Sequence, residues 1–364
     1  MASTSTQAIV LESINHAQEE SGSSNETTTE PTNFDPAADA IIAESRLADS
    51  QVPDGGYGWV IIGACSVLTF CLQFIVVSTI PAQYFNKKRG IANGIVYAGG
   101  GFGGAGISFA MDGLIQKLGV EWTFRILGIV VLATGLPAAW LIKERAPIKT
   151  TTFVEWTLFK DIKFATLFLA GAIATFPLLV PPFFLPLYSS SLGLSASAGA
   201  GLVAGFNFSS AIGRLCCGFL SDSIGPVNTL FISLLVSALS MLAIWPVSDS
   251  IGPLIFFVII NGMANGGFFS TIPTVVTSVF GSKRVSVAMG MIVTGWAGGY
   301  LMGAPIAGYL LAAYGGQHST LEAYHPAMFY AGSMALGAAC LRRIASDLEC
   351  HSAGEWNDVE CFDA

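Results

Sequence analysis

Between Phe164 and Ser282 the chain carries only three charged side chains, Arg214, Asp222 and Asp249. A water-exposed surface of that length needs far more, because soluble domains are about 25% charged. The stretch must therefore face lipid or pack on itself. Apolar runs recur at about residues 91–111, 122–142, 164–188, 197–220, 228–247, 252–280, 285–313 and 324–341. Each approaches the roughly 20 residues that an α-helix needs to cross a bilayer. In lipid only helices and closed barrels satisfy every backbone hydrogen bond, and the strict alternation of barrel strands is absent. One more uncharged run, Trp59–Tyr84, brings the total to about nine apolar spans. The expected fold class is all-α, a polytopic bundle in the lipid bilayer.

Composition agrees: 52% of the residues are hydrophobic and 11% charged. Much of the acidity lies in residues 1–53, a Ser/Thr/Glu-rich stretch that reads as a disordered acidic tail. The net charge of −8 therefore describes that tail more than any partner surface. No cleavable signal peptide is visible, so internal helices are expected to direct insertion. Asn25-Glu26-Thr27 is a glycosylation acceptor sequence if the tail reaches a lumen. Of the seven cysteines, Cys65, Cys71, Cys216, Cys217 and Cys340 sit in apolar runs and read as small hydrophobes.

Basic residues set orientation. They cluster at Lys87-Lys88-Arg89, at Lys143, Arg145 and Lys149 through Lys160 and Lys163, at Lys283-Arg284, and at Arg342-Arg343. Two, four and two spans separate these clusters, so all fall on one side, expected to be the cytoplasm. Short loops near 112–121, 189–196, 248–252 and 314–323 fall on the other side, with Lys117 their one Lys or Arg. Pro177, Pro181, Pro182 and Pro186 should kink or break the span that holds them.

Gly101-Phe102-Gly103-Gly104-Ala105-Gly106 matches a dinucleotide fingerprint, but it lies inside an apolar span rather than between a strand and a helix. Helix packing is the better reading: Gly99/Gly103, Gly100/Gly104, Gly201/Gly205 and Gly295/Gly299/Gly303 are small-xxx-small sets. Arg214 follows an uncharged stretch, residues 197–213, and a charge at membrane depth is a functional candidate by default. It either binds an anion through its two-pronged guanidinium, or snorkels or pairs with Asp222. Asn207, Ser210 and Arg214 share one helical face; Asn261 and Asn265 share another. These residues either line a substrate cavity or hydrogen-bond between helices. Trp296 and Tyr57 read as belt aromatics or as site residues. The four histidines have no metal-ligand spacing and no catalytic constellation is evident, so no enzyme, metal, cofactor or nucleic-acid partner is expected.

Asp54-Gly55-Gly56-Tyr57-Gly58-Trp59 resembles the motif that opens the first helix of the monocarboxylate-porter family of the major facilitator superfamily. Tyr84-Phe85-Asn86-Lys87-Lys88-Arg89-Gly90, continuing through Gly94 and Gly99 to Gly103, resembles that family's loop into the fifth helix. Gly213-Arg214 and Gly218-x-x-Ser221-Asp222 resemble its eighth helix and cytoplasmic exit, in the style of fungal members.

The resemblance implies two six-helix halves, alternating access, and movement of a carboxylate-bearing solute, often with a proton. It leaves the second and third helices and most of the fourth without counterpart, since the two motifs nearly touch. The organisation expected is a tail over 1–53, a truncated N-terminal half over 54–149, a six-helix half over 150–345 and a C-terminal tail over 346–364. Trp59–Tyr84 then reads as the front of a first helix fused to the back of a fourth, a tilted single span with the tail outside. Proton-coupled animal members carry an acid one turn before the arginine, where this chain has Ser210. Arg214, Asn207, Ser210, Asn261 and Asn265 are the substrate-binding candidates for a small organic anion. The alternative is a shortened, non-transporting scaffold or sensor derived from a carrier.

Overall fold

The computed structural model describes residues 80–141, 154–316 and 320–352. The N-terminal tail, the Asp54–Trp59 motif, most of the Trp59–Tyr84 run and the cluster Lys143/Arg145/Lys149 lie outside the described residues. Among those described, helix follows helix and no strand occurs. The elements are α1 (Ile80–Tyr84), α2 (Arg89–Leu141), α3 (Ile162–Leu178), α4 (Val180–Ser191), α5 (Ala196–Ile224), α6 (Pro226–Leu239), α7 (Ile251–Ala313) and α8 (His325–Ser352).

Two of these are double spans folded back at a single glycine. α2 breaks at Gly119 (φ 78°) and α7 at Gly281 (φ 72°), backbone that a side chain with a Cβ disfavours. The loop expected over 112–121 is therefore one residue, and the helix runs up to it on both sides. The proline-rich span breaks as expected: α3 ends at Leu178 and α4 starts at Val180. Asp161 and Ser195 cap α3 and α5 through their side chains, accepting from Lys163 N (2.9 Å) and Ala198 N (3.3 Å). α8 continues past its apolar run to Ser352, into the residues expected to begin a tail.

Six segments among the described residues are long and apolar enough to cross a membrane: Lys117–Leu141, Ile162–Ser191, Ala196–Ile224, Pro226–Val247, Ile251–Gly281 and Arg284–Ala313. The first arm of α2 and α8 are helical as well. Glycines dilute the hydropathy of one, and charged residues beyond Leu341 that of the other. Large apolar side chains point outward along these helices, Trp140 (86% exposed) and Tyr309 (77%) among them, as a lipid-facing surface requires. The chain is an all-α, multi-pass integral membrane protein.

Because lipid is as apolar as leucine, helices here associate through close packing and hydrogen bonds rather than by the hydrophobic effect. The α5–α7 crossing shows this best. A Cβ on Gly213 would strike Met263 O, one on Gly266 would strike Ser210 O, and one on Gly262 would come within 2.8 Å of Phe206 O. The Gly295/Gly299/Gly303 stripe packs on Phe168, Thr175 and Phe176 of α3, as its spacing implies. Gly201 does not follow the pattern: nothing lies within 4 Å of a Cβ there. Side-chain packing falls into two clusters, one around Phe164, Phe268, Phe280 and Trp296, the other around Tyr188, Trp245, Phe257 and Tyr324.

Two polar links tie helix ends together next to described basic residues. Asp222, at the end of α5, accepts hydrogen bonds from Gly90 N (2.6 Å) and Ile91 N (2.9 Å), the start of α2. Arg284, just past the α7 break, pairs with Glu155 ahead of α3 at 3.1 Å. Lys87 and Lys88, just ahead of α2, are exposed.

Candidate functional site

Arg214 lies at the junction of α2, α5 and α7. It is only 4% exposed, so it does not snorkel, and Asp222 is engaged at the start of α2 rather than with it. Its Nη1 donates to the main-chain carbonyl of Tyr97 at 2.6 Å. The guanidinium carbon sits 5.2 Å from the centre of the Phe269 ring, a cation–π contact. Nε is buried without a hydrogen-bond partner, and no carboxylate among the described residues pairs with Arg214. One corner of the guanidinium is thus anchored, while the edge formed by Nε and Nη2 meets no protein acceptor among the described residues. That edge is the geometry a carboxylate accepts bidentately.

The first arm of α2 reaches α5 through glycines. A Cβ on Gly94 would lie 2.6 Å from Arg214 O, one on Gly218 2.6 Å from Gly90 O, and one on Gly101 2.8 Å from the Cβ of Ala211. Gly104 faces the amide of Asn207. The fingerprint-like glycines therefore pack helices, as expected, and Gly99 and Gly103 are buried in the same arm. A second polar link joins α2 to α7: Asn93 Nδ2 donates to Thr274 Oγ1 at 2.9 Å, with both residues buried. Together with the Asp222 cap and the Arg214–Tyr97 bond, this gives three polar contacts over two turns of α2.

The other candidates divide. Asn207 points from α5 toward α2, and Ser210 is buried with its carbonyl against Gly266 of α7. Asn265 Nδ2 donates to Leu178 O (2.9 Å), the carbonyl at the α3–α4 break. Asn261 turns elsewhere, its Nδ2 donating to Ser240 Oγ of the turn after α6 at 2.8 Å. The two asparagines thus hold different neighbours although they are four residues apart. Trp296 is not a belt aromatic: it is 1% exposed, with ring centroids of Phe268, Phe269 and Tyr300 at 5.5, 6.4 and 6.4 Å. Tyr57 lies outside the described residues. Sequence reasoning missed Tyr97, Asn93, Thr274 and Phe269. A backbone acceptor and neutral side chains inside apolar runs carry no distinctive pattern.

The model of the Major Facilitator Superfamily matches residues 55–215 and again 167–347, together most of the chain. The chain belongs to the Major Facilitator Superfamily. Among its relatives, the aspyridones efflux protein apdF of Emericella nidulans is 32% identical over 71% of this chain and 53% of its own length. The MFS transporter asaE of Aspergillus flavus is 28% identical over 74% of this chain and 62% of its own. This chain thus spans a little over half the length of those relatives. Among solved structures, the Escherichia coli fucose:proton symporter FucP superposes with a TM-score of 0.57 at 13% identity, covering 86% of this chain and 87% of that one. That likeness establishes the fold. The superfamily and these named relatives are transporters, not enzymes.

Proposed function

We propose that this superfamily member is a carrier for a small organic anion, of the monocarboxylate-porter type, with Arg214 holding the carboxylate. The observation that carries the reading is the buried guanidinium edge with no acidic partner among the described residues, at the junction of three helices. Carrier sites lie near the midplane, where two repeats meet. On this reading residues 54–149 and 150–345 are the two halves, and α2 contributes the first half's wall. Asn207 and Ser210 share the α5 face of Arg214, Asn265 holds α7 to the α3–α4 break, and Asn261 fastens α7 to the end of α6. The relatives' names support an organic metabolite as cargo, since two of them are an aspyridones and an agnestins efflux protein. Ser210 stands where proton-coupled animal members carry an acid, so coupling to a proton would have to use a group other than a carboxylate at that position.

A hydrogen bond to a charged group contributes about 1.5–3 kcal/mol, roughly ten- to a hundredfold in affinity. In proteoliposomes containing the full chain, uptake of radiolabelled p-aminohippurate, a carboxylate that crosses lipid poorly, is expected above protein-free vesicles. Arg214→Ala should lower it at least tenfold. Uptake unchanged by the substitution would sink the assignment. A second reading, a non-transporting protein derived from a carrier, draws on the chain's covering 53% of its relative apdF. It predicts no uptake by the wild type.

A further inference from the structure

A 3₁₀ turn, Trp156–Lys160, stands at the entrance to α3, where the apolar span Ile162–Ser191 begins. Its surface is apolar and basic at once. Trp156 is 75% exposed, and its ring stacks on Phe159 with centroids 6.0 Å apart. Phe159 in turn meets Phe164 and Phe168 of α3 edge-on, at 5.1 and 5.2 Å. A row of rings thus fixes the exposed indole to the bundle. Val154 and Ile162, on either side of the turn, are exposed too, as are Lys160 and Lys163. The acids of the same stretch are engaged: Glu155 pairs with Arg284 of α7 at 3.1 Å, and Asp161 accepts from Lys163 N at 2.9 Å as the cap of α3. Lys160 and Lys163 therefore carry the positive charge that this surface offers. An exposed indole with apolar neighbours suits the border of hydrocarbon and headgroups, where the ring is dry and the N–H wet. Lysine stems can lie along that apolar surface and lift their ammonium groups to the phosphates.

We infer that the turn ahead of α3 is a docking surface for anionic lipid, with Trp156 against the upper acyl chains and Lys160 and Lys163 on the headgroup phosphate. A free phosphate ion would meet the lysines and leave the rings unused; a zwitterionic lipid would meet the rings and gain little from the lysines. Only a negatively charged lipid uses both. Such lipids are concentrated in the cytoplasmic leaflet, the side to which the basic clusters assign this turn. Near such a surface each lysine is equivalent to about fivefold in affinity. The surface is separate from Arg214 and acts whether or not the chain completes a transport cycle.

The test is fluorescence quenching of the full chain reconstituted in vesicles of phosphatidylcholine and phosphatidylglycerol in equal amounts, with brominated acyl chains on one lipid or the other. The chain has seven tryptophans, so the share of Trp156 is read as the difference between the wild type and Trp156→Phe. Brominated phosphatidylglycerol should quench that share at least twofold more than brominated phosphatidylcholine does. Replacing both lysines, Lys160→Gln with Lys163→Gln, should bring the two lipids to equal quenching while quenching with both brominated stays as in the wild type, which shows the turn still seated. Lys160→Arg with Lys163→Arg keeps the charge and should keep the preference. Equal quenching by the two lipids in the wild type overturns the proposal, as does a preference that survives the glutamine pair. Absence of quenching by either lipid, which would put Trp156 in water, overturns it as well.

Discussion

Arg214 and Asp222 lie eight residues apart on α5 and hold points two turns apart on the same neighbour, the first arm of α2. Asp222 accepts two of the amide hydrogens that a helix N-terminus leaves unsatisfied, where the helix dipole favours negative charge. Asp222→Ala should cost about 1–2 kcal/mol and speed amide hydrogen exchange at Gly90 and Ile91. Unchanged exchange there would deny Asp222 its role as a cap. The arginine was legible in the sequence because an isolated charge in an apolar run is conspicuous. Its anchor was not, since a Tyr97 carbonyl looks like every other carbonyl. Nor was the partner of Asp222, which stands 132 residues away in the chain. The belt reading of Trp296 fails for a geometric reason: α7 restarts after Gly281, so the residue sits roughly 20 Å along the second arm at 1.5 Å per residue. That depth is the bilayer interior, not its edge.

Among elements, glycines separate into those that set a helix crossing and those that merely occupy a helix. Gly218→Ala would put a Cβ 2.6 Å from Gly90 O, a backbone atom that cannot swing aside. Destabilisation of about 1–3 kcal/mol, read as a lowered Tm, is expected. Gly298→Ala and Gly308→Ala meet nothing within 4 Å and should be neutral or raise Tm, because alanine is the better helix former by up to about 1 kcal/mol. A Gly218→Ala variant as stable as Gly298→Ala would mean that α2 and α5 do not touch at that point. Spacing alone predicted glycine packing for both Gly295/Gly299/Gly303 and Gly201/Gly205. Only the first set has a helix opposite its whole length, which periodicity within one segment cannot report. The same limit explains Asn261 and Asn265: one face of a helix can meet two neighbours, here α6 and the α3–α4 break.

Across the whole molecule, the span pattern was the most legible feature, because bilayer thickness fixes segment length and charge fixes the ends. The fold-backs were legible as positions but not as single glycines, since the helices run up to the break without a loop. The ends make a direct prediction. Single cysteines placed at Lys88 and Ser223 should react with a membrane-impermeant thiol reagent from the same side, the cytoplasmic one, and a cysteine at Tyr314 from the opposite side. Labelling of positions 88 and 314 from one side would contradict the topology that brings the basic clusters together.

The central claim is that Arg214 is an anion site in a carrier fold, and equilibrium binding tests it without requiring the chain to complete a transport cycle. Calorimetric titration of the purified full chain with p-aminohippurate should give one site per chain. Arg214→Ala should weaken that site at least tenfold, and Arg214→Lys, which keeps the charge but not the fork, should fall between. Binding of equal strength in the wild type and Arg214→Ala would contradict the account.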